Sequence, residues 1–118
     1  MPPEVFFSSP QFNDWIEIMY DQTEEKILNY AHGIVDAVFT PGVLMIDDMW
    51  ARGYGSWKFN EKKIPHPKEM IDGLHSLGFK VILWVCSYIF ADTEEYEILR
   101  GQGGLVRDPE TGEPAVIQ

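Results

Sequence analysis

The chain has 118 residues, which suffice for one small domain with its own hydrophobic core. Nineteen acidic residues against nine basic residues give a net charge of −10, so we expect no nucleic acid and no anionic membrane as a partner, since both bind clusters of Lys and Arg. The single cysteine, Cys86, excludes an internal disulfide framework and fits a reducing compartment.

The first half of the chain predicts a strand, a helix and a second strand. Residues 12–20 are rich in strand-forming side chains. Asp21 and Glu24 form a capping-box pattern, and apolar side chains then recur at helical spacing: Ile27, Leu28, Ala31, Ile34, Val35 and Val38. Residues 40–42, Thr-Pro-Gly, end this helix. Residues 43–46 are apolar on both faces, which is typical of a buried parallel strand.

The second half predicts a long loop, a helix, a strand and a short helix. Residues 48–67 are irregular, and a loop of this length in a compact domain is usually functional or mobile. Pro67 can open the next helix, Gly78 can end it, and its buried stripe is Met70, Ile71, Leu74 and Leu77. Residues 79–85 predict a second strand that is apolar on both faces. An acidic helix begins at residues 92–95 and ends at Gly101, and the tail holds a turn at residues 109–112 and room for one further short strand.

The alternation of strands and helices predicts an α/β fold with parallel strands and crossover helices. In such folds the functional site lies at the carboxyl ends of the strands. Asp47 and Asp48 follow one predicted strand, and Ser87 and Tyr88 follow Trp84 at another. The sequence therefore predicts a polar site at this edge of the sheet.

Adjacent aspartates raise the question of a catalytic pair or a metal site. Neighbouring residues on a strand point to opposite faces, so Asp47 and Asp48 do not readily flank one scissile bond. The three histidines, at positions 32, 66 and 75, show no ligand spacing with these aspartates, so no metal is expected. Two interpretations stay open: one aspartate holds a loop through backbone N–H groups, and the other accepts sugar hydroxyls.

The aromatic residues leave similar alternatives. Trp84 can belong to the core or can wall a pocket at the strand end. Trp50 and Trp57 flank a glycine-containing loop, where they can stack on a sugar or form a cluster that pins the loop. Cys86 lies in an apolar run and is expected to be a buried, inert thiol. No nucleophile-elbow, phosphate-loop or dithiol signature is present.

Three ordered segments carry a family resemblance: PQFNDWIEIMYDQTEEKILNYA, PGVLMIDDMW and YGSWKFNEKKIPHPKEMIDGLHSLGFKVILWVCSYI. From about residue 10 to residue 107 the chain resembles glycoside hydrolase family 31, nearest to the bacterial α-glucosidase and α-xylosidase group. The family fold is a (β/α)₈ TIM barrel. The resemblance implies that residues 1–118 are a single fragment of it, about the first three βα units. It implies no cofactor.

The family is retaining, and its nucleophile and acid/base aspartates lie on later strands, so the resemblance assigns no catalytic residue here. It does imply that Asp47 contacts the sugar in the −1 subsite, that Trp84 walls this subsite, and that Asp48 and Trp50 lie beside it. The expected ligand is an α-linked oligosaccharide or monosaccharide. Since a retaining glycosidase needs two carboxyl groups about 5–5.5 Å apart, we expect the chain to be inactive alone. The alternatives are a non-catalytic carbohydrate-binding domain and a purely structural α/β domain.

Departures from the family pattern bear on substrate choice. Met49 replaces the asparagine of IDDNW, and Val38 replaces the first glycine of GFPPG. Ser87 replaces the proline of WVCPF, and residues 64–67 read Ile-Pro-His-Pro instead of FPDP.

Two further expectations concern assembly and location. Three barrel strands leave two open edges and an apolar face, so we expect a homo-oligomer formed through the exposed strand edges. No run reaches the ~20 apolar residues of a membrane span, and the N-terminus is unlike a signal peptide. We therefore expect a cytoplasmic protein, although a longer parent could be periplasmic or secreted.

Overall fold

The computed structural model describes residues 1–116. Within them, three strands alternate with three longer helices, which confirms the predicted order; one short helix precedes the first strand and another follows it. The elements are α1 (Val5–Ser8), β1 (Gln11–Asn13), α2 (Trp15–Ile18), α3 (Glu24–Asp36), β2 (Val43–Ile46), α4 (Pro67–Ser76), β3 (Lys80–Leu83) and α5 (Glu94–Gln102).

The strands form a parallel sheet in the order β1-β2-β3 among the described residues. Phe12 lies opposite Leu44 in the first pair, and Leu44 lies opposite Val81 in the second. Helix α3 connects β1 to β2, and α4 connects β2 to β3, so the chain repeats the βαβ unit. The α/β prediction is confirmed.

Residues 1–52 and 57–85 form one compact unit that contains this sheet. Its hydrophobic core joins the central strand to α3 and α4, and its buried members are Ile18, Ile27, Ala31, Ile34, Leu44, Ile46, Trp50, Ile64, Met70, Leu74 and Phe79. Gly42 precedes β2 where the chain runs against Pro10, and a Cβ at Gly42 would lie 2.2 Å from the Pro10 carbonyl oxygen. Glycine is therefore required for β1 and β2 to approach each other.

The predicted strand over residues 12–20 is wrong beyond Asn13. The Asn13 side-chain oxygen accepts a hydrogen bond from the Trp15 N–H at 2.7 Å, which turns the chain out of the sheet. Residues 15–18 then form α2, and Ile18 enters the core. A side chain that bonds its own backbone competes with the strand ladder, and here it prevails over strand propensity.

The predicted capping box at Asp21 and Glu24 is also wrong. Thr23 is the N-cap of α3, and its Oγ1 accepts from the Lys26 N–H at 3.3 Å. Asp21 instead forms an ion pair with the Lys26 ammonium group at 2.6 Å. The helix starts two to three residues later than the pattern indicates because Thr23 supplies the same kind of cap.

Helices α3 and α4 end in the same hydrogen-bonding motif with different residues at its left-handed position. In α3, the Val38 N–H donates to Val35 and the Phe39 N–H donates to Ile34, with Val38 at φ 64°. In α4, the corresponding left-handed residue is Gly78, at φ 98°. This is the Schellman motif, which favours glycine, so Val38 is a β-branched residue at a position where a Cβ is strained.

Strand β3 is shorter and more exposed than the predicted strand over residues 79–85. It covers Lys80–Leu83, Lys80 is exposed, and the other three residues are half-buried, because β3 is an edge of the described sheet. Helix α4 begins at Pro67 as predicted, and Met70 and Leu74 are buried. Strand β2 has the predicted bounds.

The second compact unit contains Gly53–Ser56 and the residues from Cys86 onward. Helix α5 has Thr93 as its N-cap and ends at Gln102, with Gly103 as its C-cap at φ 69°, so the predicted end at Gly101 is wrong. Cys86 is half-buried, not buried as expected.

The predicted turn at residues 109–112 is present: the Gly112 N–H donates to the Asp108 oxygen at 2.9 Å. Instead of a further strand, the described tail has one isolated bridge, between Arg107 and Pro114. The last two tail residues, 117 and 118, lie outside the described range. Throughout residues 1–116, no helix combines the length and the apolar character that crossing a bilayer requires.

Candidate functional site

Polar and aromatic residues follow all three strands at their carboxyl ends. Asn13 ends β1, Asp47 follows β2, and Trp84 follows β3. Ile46 lies opposite Leu83, and the Trp84 N–H donates to the Ile46 carbonyl at 2.9 Å, so the next residues along, Asp47 and Trp84, occupy neighbouring positions. The structure thus brings two of the predicted binding residues to one edge.

Asp47 is held from two sides. One carboxylate oxygen, Oδ2, accepts from the Asn13 side-chain amide at 2.6 Å, and the other, Oδ1, accepts from the Asp48 N–H at 2.8 Å. Its side chain sits in a buried position, with the residue 9% exposed. An ionised carboxylate has about four acceptor positions, so these two donors leave capacity for further hydroxyl donors.

Asp48 supports the turn that follows β2. Its Oδ1 accepts from the Met49 N–H at 2.6 Å, and the residue is half-buried. Met49 has a φ of 72°, in the left-handed region. Asp47 and Asp48 each bond the N–H of the next residue, so loop capping, one of the two open interpretations, applies to both. Their predicted sugar contacts stay predictions.

Trp50 lies in the hydrophobic core, with 5% of the residue exposed. Its Nε1–H donates to the Trp84 carbonyl at 2.7 Å, and its ring meets Phe59 edge-on with centroids 5.1 Å apart. Trp50 therefore fixes the main chain of Trp84, and a direct sugar contact by its ring stays a prediction. Of the two interpretations of the loop aromatics, the pinning cluster is present at Trp50 and Phe59, whereas Trp57 is 64% exposed.

Trp84 is half-buried and directly follows the last residue of β3. Its main chain is fixed twice, through its N–H to Ile46 and through its carbonyl to the Trp50 indole. These two bonds set the position of the Trp84 backbone, from which its ring projects. Its predicted role as a pocket wall stays a prediction.

Sequence reasoning missed Asn13, Asp14 and Gln22. Asp14 is fully buried, and its Oδ1 accepts from the Asp47 N–H and from the Gln22 amide, each at 3.0 Å. The two polar residues that follow the apolar Phe12 indicate a strand end at this point. The assignment of residues 12–20 to one strand did not take them into account.

Burial raises the pKa of the Asp14 carboxyl, and the Asp47 carboxylate acts in the same direction, while hydrogen bonds from the Asp47 backbone and the Gln22 side chain oppose them. Burial, followed by the charges of Asp14 and Glu17, likewise raises the pKa of Tyr30, whose hydroxyl donates to the Asn13 carbonyl at 3.0 Å. Burial at this edge therefore disfavours the ionised forms of Asp14 and Tyr30.

In the part of the chain that the structure describes, no three His, Cys, Asp or Glu side chains lie close enough together to bind a metal ion. His32 and His75 are exposed on their helices.

Comparison with known proteins gives a consistent result. The model of the glycosyl hydrolase family 31 TIM-barrel domain matches residues 1–117. The myogenesis-regulating glycosidase of Mus musculus is 29% identical over 122 residues, a match that covers the whole chain and 16% of that protein. The chain thus spans about a sixth of this relative's length.

Two solved structures have the same fold. A family 31 dextranase of Flavobacterium johnsoniae, complexed with glucose, has a TM-score of 0.79 at 22% identity, over 96% of this chain and 13% of that one. A family 31 α-xylosidase from a soil metagenome, complexed with xylose, has a TM-score of 0.77 at 23% identity, over 91% of this chain and 15% of that one.

The three parallel strands and their helices are accordingly part of a TIM barrel, as the sequence predicts. The predicted family is confirmed as well, because its model covers almost the entire chain. The chain belongs to the TIM-barrel domain of the family 31 glycosyl hydrolases.

Proposed function

We propose that this chain forms part of the −1 sugar subsite of a retaining, α-glucosidase-like glycosidase, with an α-linked oligosaccharide or monosaccharide as ligand. The observation that carries the proposal is Asp47, a carboxylate held at the carboxyl end of β2 beside the position of Trp84. The sugar complexes of the dextranase and the α-xylosidase support the ligand class.

The two side chains have complementary tasks. A sugar hydroxyl that donates to the Asp47 carboxylate forms a charge-assisted hydrogen bond, which is stronger than a neutral one. The Trp84 ring offers an apolar face to the C–H groups of the same sugar. Asp48 and Trp50 then act beside the pocket: Asp48 bonds the turn at Met49, and Trp50 holds the Trp84 carbonyl.

Hydrolysis requires more than this subsite. A retaining mechanism uses two carboxyl groups about 5–5.5 Å apart, one as nucleophile and one as acid/base. The resemblance assigns neither to residues 1–118, and Asp47 and Asp48 each bond the following N–H. We propose that the 118-residue chain alone binds sugar without turnover, and a chromogenic α-glucoside assay should show no release.

Titration of tryptophan fluorescence with glucose, xylose and isomaltose tests the binding proposal. We expect a saturable change that Asp47→Ala removes. Asp72→Asn is the matched control, because Asp72 is an exposed aspartate on α4 that pairs with Lys68. If the folded chain gives no saturable response at millimolar sugar, the proposal is wrong and the purely structural alternative is favoured.

A further proposal concerns assembly: we propose self-association through the β1 edge. A groove of about 610 Å³ lies in the first unit and is lined by apolar side chains of β1, α2 and α3, among them Phe12, Ile18 and Ile34. Phe39 also lines the groove and is 62% exposed. An open strand edge beside an apolar groove favours pairing with a second copy.

Analytical ultracentrifugation across a concentration series tests this. We expect a dimer or larger species for the unmodified chain and a shift toward monomer for Phe39→Lys. Ile98→Lys is a control, because Ile98 is a 50% exposed side chain on α5 that does not line the groove. A clean monomer at high concentration contradicts the proposal.

A further inference from the structure

Two buried polar atoms meet no hydrogen-bond partner within residues 1–116: Oδ2 of Asp14 and Oε1 of Gln22. Both residues are fully buried. The other polar atoms of these two side chains are paired, because Gln22 Nε2 donates to Asp14 Oδ1 at 3.0 Å. Buried polar groups without partners are costly and rare, so this pair calls for an explanation.

A single proton shared between these two atoms would give each of them a partner. A neutral carboxylic acid and a primary amide can form two parallel hydrogen bonds, with the amide N–H donating to one acid oxygen and the acid O–H donating to the amide oxygen. The first of these bonds is present between Gln22 and Asp14. A proton on Asp14 Oδ2 supplies the donor for the second.

The surroundings favour the neutral acid. The charged group that acts on Asp14 is the like-charged carboxylate of Asp47 at the end of β2, and Tyr30 faces it from α3. In the described part of the chain, no lysine is among the groups that shift the pKa of Asp14; Lys26 pairs with Asp21, and Lys63 donates to the Tyr20 carbonyl. An ionised, fully buried carboxylate in this setting has no charge to compensate it.

We propose that Asp14 is a positioning residue for Asp47 and that it acts as a neutral acid paired with Gln22. Its Oδ1 holds the Asp47 N–H, and its Oδ2–H donates to Gln22 Oε1. Asp47 then has no ionised Asp14 carboxylate beside it. The effect on sugar binding rests on the proposed function, whereas the protonation of Asp14 does not.

Ionisation of Asp14 reverses this arrangement. Its Oδ2 becomes an anionic acceptor beside a second acceptor, Gln22 Oε1, and it repels the Asp47 carboxylate. The bond from the Asp47 N–H to Oδ1 itself favours the ionised form, so the loss of positioning comes from the missing bond to Gln22 and from the repulsion between the two carboxylates. Sugar affinity should therefore fall as pH rises through the titration of Asp14.

Carbon-13 NMR of the 118-residue chain, with labelled aspartate carboxyl groups, measures the protonation directly and without sugar. The Asp14 resonance is identified by its loss in Asp14→Asn. We expect its midpoint above that of exposed aspartates such as Asp21, whose pKa is lowered by Lys26. A midpoint at or below those of the exposed aspartates overturns the proposal.

Variants then test positioning through sugar affinity against pH. Asp14→Asn keeps an acceptor for the Asp47 N–H and a donor for Gln22, so we expect the pH dependence to disappear. Asp14→Leu removes both and should weaken sugar binding about five- to tenfold. If Asp14→Leu does not fold, the carboxyl titration by NMR and the dependence of sugar affinity on pH in Asp14→Asn still test the proposal. A pH profile that Asp14→Asn leaves as steep as in the unmodified chain contradicts the positioning role, and absence of sugar binding in every variant contradicts the proposed function alone.

Discussion

Replacing Val38 with glycine should stabilise this protein, although the change removes an apolar side chain. Val38 follows α3 at φ 64°, where an L-residue with a branched Cβ is strained. The motif at the end of α4 has Gly78 at the corresponding position. The sequence resemblance also identifies position 38 as one where the family has glycine.

The size of the effect follows from three terms. Removing the Cβ that is strained in the left-handed conformation stabilises the folded state by about 1–2 kcal/mol. Glycine costs about 0.5–1 kcal/mol through the greater freedom of the unfolded chain. Val38 is 90% exposed, so only about a tenth of the ~1.5–3 kcal/mol of full side-chain burial is lost. The free energy of unfolding should rise by about 0.5 kcal/mol, and Tm by about 2–4 °C.

Thermal and urea unfolding followed by circular dichroism measure this change. Val38→Ala is the control at the same site, because alanine loses the branched side chain but keeps the strained Cβ, and it should gain less than glycine. Gly78→Val is the reciprocal variant and should lose about 1–2 kcal/mol, since its Cβ also lies 3.3 Å from Pro41 Cβ. Equal stability of the glycine and alanine variants at position 38 would refute the strain argument.

The remaining predictions use the same measurements. Met49→Asn should leave the free energy of unfolding within about 1 kcal/mol, because asparagine tolerates φ 72° but loses the buried part of Met49, which is 38% exposed; a loss above about 2 kcal/mol would contradict the relief of strain. Trp50→Phe should cost about 2–3 kcal/mol, since the Trp84 carbonyl loses the indole donor and the core loses volume; a loss below about 0.5 kcal/mol is the opposing result. Because the folded pKa of Asp14 is raised above 3.8, its stabilising contribution is complete below that pH and is lost as pH rises through the folded pKa. Asp14→Asn should remove that part of the pH dependence, and an unchanged slope would speak against it.

Elements whose ends are marked by nearby residues, such as proline, glycine or aspartate, were predictable from the sequence. Strand β2 is a short apolar run between a Thr-Pro-Gly turn and two aspartates, and it has the predicted bounds. Helix α4 has proline at its start, Gly78 after its end and buried Met70 and Leu74 at helical spacing. Such signals act within a few residues, so a local pattern captures them.

Elements whose bounds depend on competing local bonds were not predictable in the same way. Residues 12–20 have strand propensity, yet β1 ends at Asn13 because that side chain bonds the Trp15 N–H. Thr23 rather than Asp21 caps α3, although both are good cap residues. Propensity alone does not decide between alternatives that differ by one hydrogen bond.

The sequence by itself determined the alternation of strands and helices, the family and the position of Asp47 at a strand end, because hydrophobic spacing and ordered motifs are written along the chain. Tertiary structure decided what surrounds Asp47. Asp14 bonds the Asp47 N–H across 33 positions of sequence, and Trp50 reaches the Trp84 carbonyl across 34. Contacts over such separations exist only once the strands have paired, so the burial and the hydrogen bonds at this edge follow from the fold.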